Sequence, residues 1–428
     1  MRTTFMQSAR IACVSLACAS ATTLSAQTIA ITGGTVYPAV GPRIDNGTVI
    51  VRDGKIVAVG ANLAVPTGAT RVDATGKWVT PGLVNAFTTL GLSESGGPQF
   101  SGGYNDTQAQ VTDGISASFE AADGVNPAST MFRPSTSDGI TTVGVWPSGN
   151  WVSGRGAVMD LTGNTVSQMV VKRGVGMLLN FDAGAANAGA RAAMFGRLRE
   201  LLVDVKQYAL RKAEYEGNRT RAFAAKSSQL EALLPVARGT MPLFVVAERA
   251  SDIRAAVGIA KEFALRLVIV GGAEAWMVAG ELATAKVPVM VGALNNIPET
   301  FDALGQRQEN ASLLRAAGVA VTLIGNGPGD PLSFNVRNVR QEAGNAVAYG
   351  MSWDDALRAI TAAPAEALGV ADRVGALAVG REANIVVWDG DPFEFTTRAT
   401  HVYIRGVLQT GLSREDELTA RYRKLPPG

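Results

Sequence analysis

Two apolar runs decide the fold: Pro242-Leu243-Phe244-Val245-Val246-Ala247 and Arg266-Leu267-Val268-Ile269-Val270, with a helical pattern between them. Short apolar runs of this kind predict buried strands, and strands that alternate with helices predict parallel βα units. Outward along the chain, similar runs recur at 139–145, 175–179, 287–292 and 319–324. About eight such units close a barrel. The α/β pattern of residues 80–369 therefore predicts a (β/α)8 TIM-like barrel.

Both ends of the chain have the pattern of short antiparallel strands. Residues 29–31, 47–51 and 55–60 are rich in β-branched residues, and Asp53-Gly54 between the last two runs is a hairpin signal. Similar runs return at 383–388 and 401–406. We therefore expect residues 27–79 and 370–412 to form one small composite β-sandwich.

The longest helical section lies at 195–234. Its apolar residues are spaced for a single stripe, which predicts a helical hairpin packed outside the barrel. The stripe consists of Leu198, Leu201, Leu202, Val205 and Tyr208. Ser352-x-x-Asp355 is a variant of the capping box and predicts the start of another helix, which Pro364 should end.

Composition excludes several classes of protein. The 428 residues include 47% hydrophobic residues, 39 Lys and Arg, 37 Asp and Glu, and a single His. This balance suits a folded protein of one large domain or two unequal ones. It gives no electrostatic basis for binding nucleic acid or an anionic membrane. One His is too few for most zinc sites or for acid–base catalysis by imidazole.

Residues 1–26 are typical of a cleavable signal peptide. Met1-Arg2 gives a basic start, an apolar stretch follows at 11–24, and the cleavage position lies near Ala26. This stretch is shorter than the roughly 20 residues of a spanning helix, and no later segment reaches that length. Cys13 and Cys18 lie inside it, so the mature chain has no disulfide or thiolate. We expect a periplasmic or secreted protein without a membrane span.

The segment Pro81-Gly82-Leu83-Val84-Asn85-Ala86-Phe87-Thr88-Thr89-Leu90-Gly91 resembles the first barrel strand of the amidohydrolase superfamily. Residues 139–143, 356–365 and 375–384 look like later segments of the same family, in the same order. Within it, the chain is most similar to the secreted, imidazolonepropionase-like members, and the resemblance covers nearly all of the mature chain. It implies a metal-dependent hydrolase fold in which zinc or another divalent metal activates water to attack C–N bonds, those of dipeptides included.

The resemblance also implies where metal ligands would stand, and each of those positions is substituted here. The first-strand pair falls on Phe87 and Thr89, the fifth-strand ligand on Val246 or Glu248, and the sixth-strand ligand on Gly271. The likely fourth strand, near 175–177, supplies no Lys. The eighth-strand aspartate falls on one of two neighbouring positions, Asn326 or Gly327. Because such a site lacks its imidazoles, we expect no metal cofactor and no hydrolysis by the family's usual route.

Three functional hypotheses remain open. The leading one is a non-catalytic homologue, a pseudoenzyme, that binds a small molecule in the old pocket or pairs with an active homologous subunit, in a homo- or hetero-oligomer. The second is an active C–N bond hydrolase with a rebuilt, carboxylate-based site. The third is an extracytoplasmic protein that binds a peptide or sugar by stacking on Trp146 and Trp151.

The residues available for these functions are few. The rebuilt site would use Glu248, Glu274, Asp330 and Asn85. The three carboxylates have two interpretations: oxygen ligands for Ca²⁺ or Mg²⁺, or rim ion pairs with Arg249 and Arg337. We expect His401, the single imidazole, in a strand of the terminal sandwich, away from the barrel mouth. The predicted pocket residues are Asn85, Trp146, Glu274 and Asp330.

Overall fold

The computed structural model describes residues 28–94, 105–182, 184, 186–294, 297–298, 300–325, 327, 335–410 and 414–423. The predicted signal peptide, residues 1–26, lies outside the described residues, as do the candidate site residues Asn326 and Asp330. In the part of the chain that is described, no helix combines the length and the apolar character needed to cross a membrane.

The described strands are β1 (Thr28–Val36), β2 (Ile44–Arg52), β3 (Lys55–Ala61), β4 (Thr70–Asp73), β5 (Trp78–Pro81), β6 (Leu83–Thr88), β7 (Ile140–Val145), β8 (Val152–Arg155), β9 (Ala157–Asp160), β10 (Val170–Lys172), β11 (Met177–Asn180), β12 (Leu243–Ala247), β13 (Leu267–Gly271), β14 (Val289–Val291), β15 (Val321–Leu323), β16 (Ile385–Trp388), β17 (Ala399–Ile404) and β18 (Val407–Leu408). The described helices are α1 (Ala121–Gly124), α2 (Phe132–Ser137), α3 (Val166–Met169), α4 (Arg191–Glu216), α5 (Ser227–Ala237), α6 (Ala250–Phe263), α7 (Ala279–Ala285), α8 (Asn310–Ala316), α9 (Val339–Ala348), α10 (Trp353–Ala359), α11 (Ala362–Ala367) and α12 (Arg414–Tyr422).

Both chain ends contribute to one eight-stranded sheet. Its order is β18-β17-β16-β5-β1-β2-β3, and β4 also pairs with β1. Asp53 and Gly54 both have positive φ, 51° and 76°, and join β2 to β3 in the predicted hairpin. The ladders of the described strands place all eight in this single sheet, so the predicted face-to-face sandwich is not confirmed.

The central strands form a parallel ladder. Strands β11 to β15 pair parallel in chain order, and β6 pairs parallel with β7. Each of the six apolar runs in the middle of the chain contains one of these strands. The parallel βα units are therefore present where the sequence predicts them, because uninterrupted apolar runs suit strands that are buried on both faces.

Two antiparallel strands, which the apolar runs do not reveal, connect the central sheets. Strand β8 pairs with β11, and β9 pairs with β7 and β10. Gly156 alone separates β8 from β9. The central strands thus form a six-stranded and a four-stranded sheet. No ladder joins β6 to β15 among the described residues, so a hydrogen-bonded, closed eight-stranded barrel is not confirmed.

The helices follow their sequence signals closely. All five residues of the predicted stripe are buried on α4, which forms a hairpin with α5. The Ser352 hydroxyl accepts the Asp355 N–H (3.1 Å) and donates to that carboxylate (2.8 Å), which caps α10. This helix ends at Ala359, and Pro364 lies in the first turn of the next helix, α11, where its missing N–H leaves no bond unmade.

Candidate functional site

Strands β6, β7 and β11 to β15 are the parallel strands of the central sheets. We call the C-terminal ends of these strands the carboxyl edge. In proteins built from parallel βα units, side chains at these strand ends form the active site. The residues at the carboxyl edge therefore decide what chemistry the chain can perform.

Aromatic side chains fill the interior between the central strands. The ring of Trp146 lies 4.5 Å from that of Phe244 and stacks on Phe87 at 5.9 Å between centroids. The Trp146 indole N–H donates to the Ala86 carbonyl oxygen at 2.8 Å, so its one polar atom is satisfied. Trp146 and Phe244 are fully buried and Phe87 is 5% exposed. Val246 packs against the same cluster.

Two glycines make room for these rings. A Cβ atom at Gly156 would lie 2.6 Å from the Trp146 ring, and one at Gly176 would clash with the Phe244 ring. Real Cβ atoms do not approach other atoms so closely, so the aromatic packing depends on the absence of side chains at both positions. The interior is therefore apolar. Its packing is determined by Phe87 of β6, Trp146 directly after β7, Phe244 of β12 and the two glycines.

Glu248 follows β12 directly and turns its carboxylate over the end of β13. A Cβ atom at Gly271 would lie 2.7 Å from Cδ of Glu248 and would clash with Oε1. The other carboxylate oxygen accepts the N–H of Ala273 at 2.8 Å. The Glu248 carboxylate therefore fills the space that a side chain at position 271, the implied sixth-strand ligand, would take.

The pKa of Glu248 is raised from 4.5 to about 7. Burial of the carboxylate is the main cause, and the nearby charge of Asp302 acts in the same direction, while the N–H of Ala273 opposes them. The residue keeps partial exposure to solvent. A carboxyl group with these properties is half protonated near neutral pH.

Glu274 fastens two backbone segments. Its Oε2 accepts the N–H of Ala250 at the start of α6 (2.9 Å), and its Oε1 accepts the N–H of Gly305 (3.1 Å). Asn85 is 1% exposed and donates from Nδ2 to the Val336 carbonyl at 3.2 Å. Both side chains are therefore engaged in holding the backbone around the carboxyl edge.

The remaining implied ligand positions are equally unsuited to a metal. Thr89 is 8% exposed and its hydroxyl lies 3.0 Å from that of Ser93. Gly327 has no side chain and is exposed. Among the described residues, no three His, Cys, Asp or Glu side chains are grouped so that they could hold a metal ion. The described residues fit the divalent metal that the family implies poorly, because Phe87 and Gly271 offer no side-chain donor atom, and of the two possible fifth-strand positions only Glu248, not Val246, has one.

Arg249 and Arg337 form ion pairs with other carboxylates than those considered from the sequence. Arg249 lies 3.8 Å from both Asp252 and Asp302, and Arg337 lies 3.8 Å from Asp138. Glu248 and Glu274 instead accept backbone N–H groups, those of Ala273 for Glu248 and of Ala250 and Gly305 for Glu274.

Glu342, on α9, belongs to the same edge, although no motif in the sequence indicates it. It is 5% exposed, and its Oε2 accepts the N–H groups of Ala293 and Leu294, the latter at 2.7 Å. Burial raises its pKa from 4.5 to about 7, while these two N–H groups lower it. The nearby Asn345 donates to the Ala293 carbonyl. Together the two side chains of α9 hold the segment that follows β14.

Other candidate residues lie apart from this edge or inside the core. His401 lies on β17 of the terminal sheet, its ring stacked on Tyr403 at 6.4 Å between centroids. Burial lowers the pKa of this imidazole. Trp151 is fully buried, with the Arg197 guanidinium 4.7 Å from its ring. Neither Trp146 nor Trp151 offers an open face for a ligand.

The chain is similar to known amidohydrolases along most of its length. The crystal structure of an amidohydrolase from Thermotoga maritima MSB8 matches it with a TM-score of 0.79 and 32% sequence identity, over 89% of this chain and 99% of that one. Imidazolonepropionase of Mesorhizobium japonicum is 26% identical over 378 residues, 81% of this chain and 87% of that protein. An amidohydrolase of Hapsidospora irregularis is 23% identical over 397 residues, and the chain spans 40% of its length.

A sequence profile described as the Amidohydrolase family matches residues 259–410. The similarity to the Thermotoga maritima structure implies a TIM-barrel-like α/β fold. The resemblance stated from the sequence is thereby confirmed, and the chain belongs to the amidohydrolase family.

Proposed function

We propose that this chain is a non-catalytic member of the amidohydrolase family and acts as the binding partner of an intact, homologous amidohydrolase subunit. The observation that carries this proposal is the position of Glu248 over Gly271. A metal ligand at the sixth-strand position would need the space that this carboxylate occupies. Phe87 at the implied first-strand position and Val246, one of the two possible fifth-strand positions, pack in the apolar cluster, which supports the absence of metal-dependent hydrolysis.

The filled interior favours a protein partner over a small molecule. Trp146, Phe244 and Phe87 pack together and fill the interior between the central strands. By contrast, large apolar side chains are exposed on the carboxyl edge, in and beside the segment between β14 and α8. They are Met277, Leu294, Ile297, Phe301 and Leu304, exposed by 41% to 88%. Clustered exposed apolar residues are typical of protein interfaces.

A second candidate function rests on Glu248 alone. A partly exposed carboxyl group with a pKa of about 7, directly after the parallel strand β12, has the properties of a general base at neutral pH. The chain would then hydrolyse C–N bonds without metal. Glu274 and Asn85 would not take part, because both hold the backbone.

The experiment for the leading proposal is co-expression of this chain with an intact amidohydrolase encoded in the same genome, followed by native mass spectrometry. We expect a complex that Phe301→Asp disrupts. Phe395→Asp is the matched control, because Phe395 is 77% exposed but lies between strands of the terminal sheet. Absence of a complex with every intact homologue, or equal disruption by both variants, contradicts the proposal.

The second candidate has its own readout. Hydrolysis of N-acyl amino acids, dipeptides and lactams by the purified chain, abolished by Glu248→Gln, would establish it. We also propose, from the sequence alone, that residues 1–26 direct the chain to the periplasm or the exterior, and that residues 80–369 are one domain beside the terminal sheet.

A further inference from the structure

A pocket of about 1220 Å³ opens at the opposite end of the central strands from the carboxyl edge. It lies between the N-terminal ends of β12 and β13 and the C-terminal halves of α6 and α7. A volume of roughly 300–1,000 Å³ is enough for a typical small ligand. The pocket is therefore large enough for one.

The floor of this pocket is apolar. Leu267, Val268 and Val287 are each less than 10% exposed and line it. Val268 also belongs to the apolar cluster inside the central strands. The pocket thus reaches from the surface helices toward the interior and presents aliphatic side chains along that path.

The rim of the pocket is cationic. Lys261 in the last turn of α6, Lys286 after α7, and Arg266 before β13 are all exposed and line it. The two carboxylates of the lining already have partners outside the pocket: Arg254 binds Glu281 at 2.8 Å, and Arg358 binds Glu366 at 2.6 Å. The guanidinium groups of Arg254 and Arg358 offset the charges of these two carboxylates. The three cations of the rim therefore leave a net positive charge around the opening.

We propose that this pocket binds an amphipathic anion: a small molecule with an aliphatic or aromatic body and one carboxylate. The body packs on Leu267, Val268 and Val287, and the carboxylate lies among Lys261, Arg266 and Lys286. Apolar pockets with a few convergent polar groups bind ligands in this manner, the apolar contacts giving affinity and the charges orientation. The inference does not depend on the proposed role of the carboxyl edge.

Two of the cations have a second role that the experiment must separate. Lys261 and Lys286 lie at the C-terminal ends of helices, where positive charge offsets the helix dipole. Replacing them changes helix stability as well as the pocket. A variant that keeps all three charges and blocks the cavity is therefore needed, and Thr284, exposed on α7 and lining the pocket, provides the position.

The test is isothermal titration calorimetry of the full chain with octanoate, and with octylammonium as the probe of opposite charge. We expect saturable, one-to-one binding of octanoate and none of octylammonium. Thr284→Trp should abolish it, and Lys261→Glu with Lys286→Glu should weaken it about tenfold, the size expected for reversing two partly exposed charges. Lys226→Glu, on the exposed N-terminus of α5, should change nothing.

Three outcomes overturn the inference. They are the absence of saturable octanoate binding, binding that persists in Thr284→Trp, and binding of octylammonium as tight as that of octanoate. Circular dichroism of each variant, with unfolding midpoints, shows whether a loss of binding reflects a loss of fold. An unfolded Lys261→Glu/Lys286→Glu variant leaves Thr284→Trp and the two probes to decide.

Discussion

The carboxylate of Glu248 occupies the side-chain space of position 271, where Gly271 has a φ of +89°. The position of the Glu248 carboxylate requires glycine at position 271, because glycine has no Cβ that would meet the carboxylate. Glycine also adopts the positive φ of this position without strain. A metal-binding side chain at position 271 and a carboxylate at position 248 in this conformation are mutually exclusive. This relationship is the structural basis of the proposal that this chain lacks the family's metal site.

Gly271→Ala should destabilise the protein by about 2–4 kcal/mol, because it adds the steric clash to a strained backbone conformation. Glu248→Ala should relieve the clash but not the strain. The double variant should therefore lose less stability than the sum of the single variants, by about 1 kcal/mol. Urea denaturation of the four proteins measures this coupling, and strict additivity contradicts the contact.

Stability should fall as the pH rises from about 5 to about 8. The pKa values of Glu248 and Glu342 are raised from 4.5 to about 7 in the folded protein, so the folded state binds protons that the unfolded state has lost. Their contribution is fully present below about pH 4.5 and is lost as the pH passes through about 7. One pKa unit corresponds to about 1.4 kcal/mol, so each shift from 4.5 to about 7 corresponds to at most about 3 kcal/mol, and to less for Glu248, which is partly exposed.

Urea denaturation at several pH values in this range measures how steeply the stability falls with pH. It tests whether Glu248 and Glu342 cause this slope. Glu248→Gln combined with Glu342→Gln should flatten it, whereas Glu200→Gln, at an exposed position on α4, should leave it as in the unmodified protein. If the double variant keeps the full slope, the two carboxyl groups are not its source.

Gly156→Ala and Gly176→Ala should each cost about 1–3 kcal/mol or more, because each added methyl group meets an aromatic ring of the interior. Gly196→Ala and Gly258→Ala are matched controls, since a Cβ at either helical position meets no atom within 4 Å. Those two should stabilise the protein by about 0.5–1 kcal/mol. Thermal unfolding compares the two pairs, and equal effects would disprove the proposed packing.

Asp160→Asn should destabilise the junction between the central strands and the terminal sheet by about 3–5 kcal/mol. Asp160 is fully buried and accepts from Arg405 of the terminal sheet at 2.7 Å and from Thr142 at 2.7 Å. The control is Glu262→Gln, whose partner is Arg199 on the surface and whose loss should cost at most about 1 kcal/mol. Urea denaturation measures the loss of stability in both variants. A comparable loss in Asp160→Asn and Glu262→Gln contradicts a special role for the ion pair of Asp160 with Arg405.

The regular part of the fold could be predicted because its signals are local. Strands β12 and β13 are continuous apolar runs, and α10 begins at a capping serine. Strands β8 and β9 could not, because residues 152–160 contain Ser153, Gly154 and Gly156 and lack an apolar run. The pairing of all terminal strands in one sheet was equally hidden, since the pattern of each strand does not reveal its neighbours.

At the site, the sequence predicts which positions lack metal ligands, and it does not indicate what occupies the space at those positions. Trp146 depends on Gly156, between β8 and β9, and Glu342 reaches the carboxyl edge from the middle of a helix pattern. Such contacts join residues that are distant along the chain and leave no local signature. For the same reason, the hydrogen bonds by which Glu274 and Asn85 hold the backbone could not be predicted from the sequence.

We propose above all that this chain does not build the metal site of its family. The most direct test is elemental analysis of the protein after purification without chelators and incubation with Zn²⁺, beside an intact amidohydrolase treated in the same way. We predict metal far below one equivalent in this chain and stoichiometric metal in the control. Stoichiometric zinc in this chain, with hydrolysis that Glu248→Ala abolishes, would contradict the account.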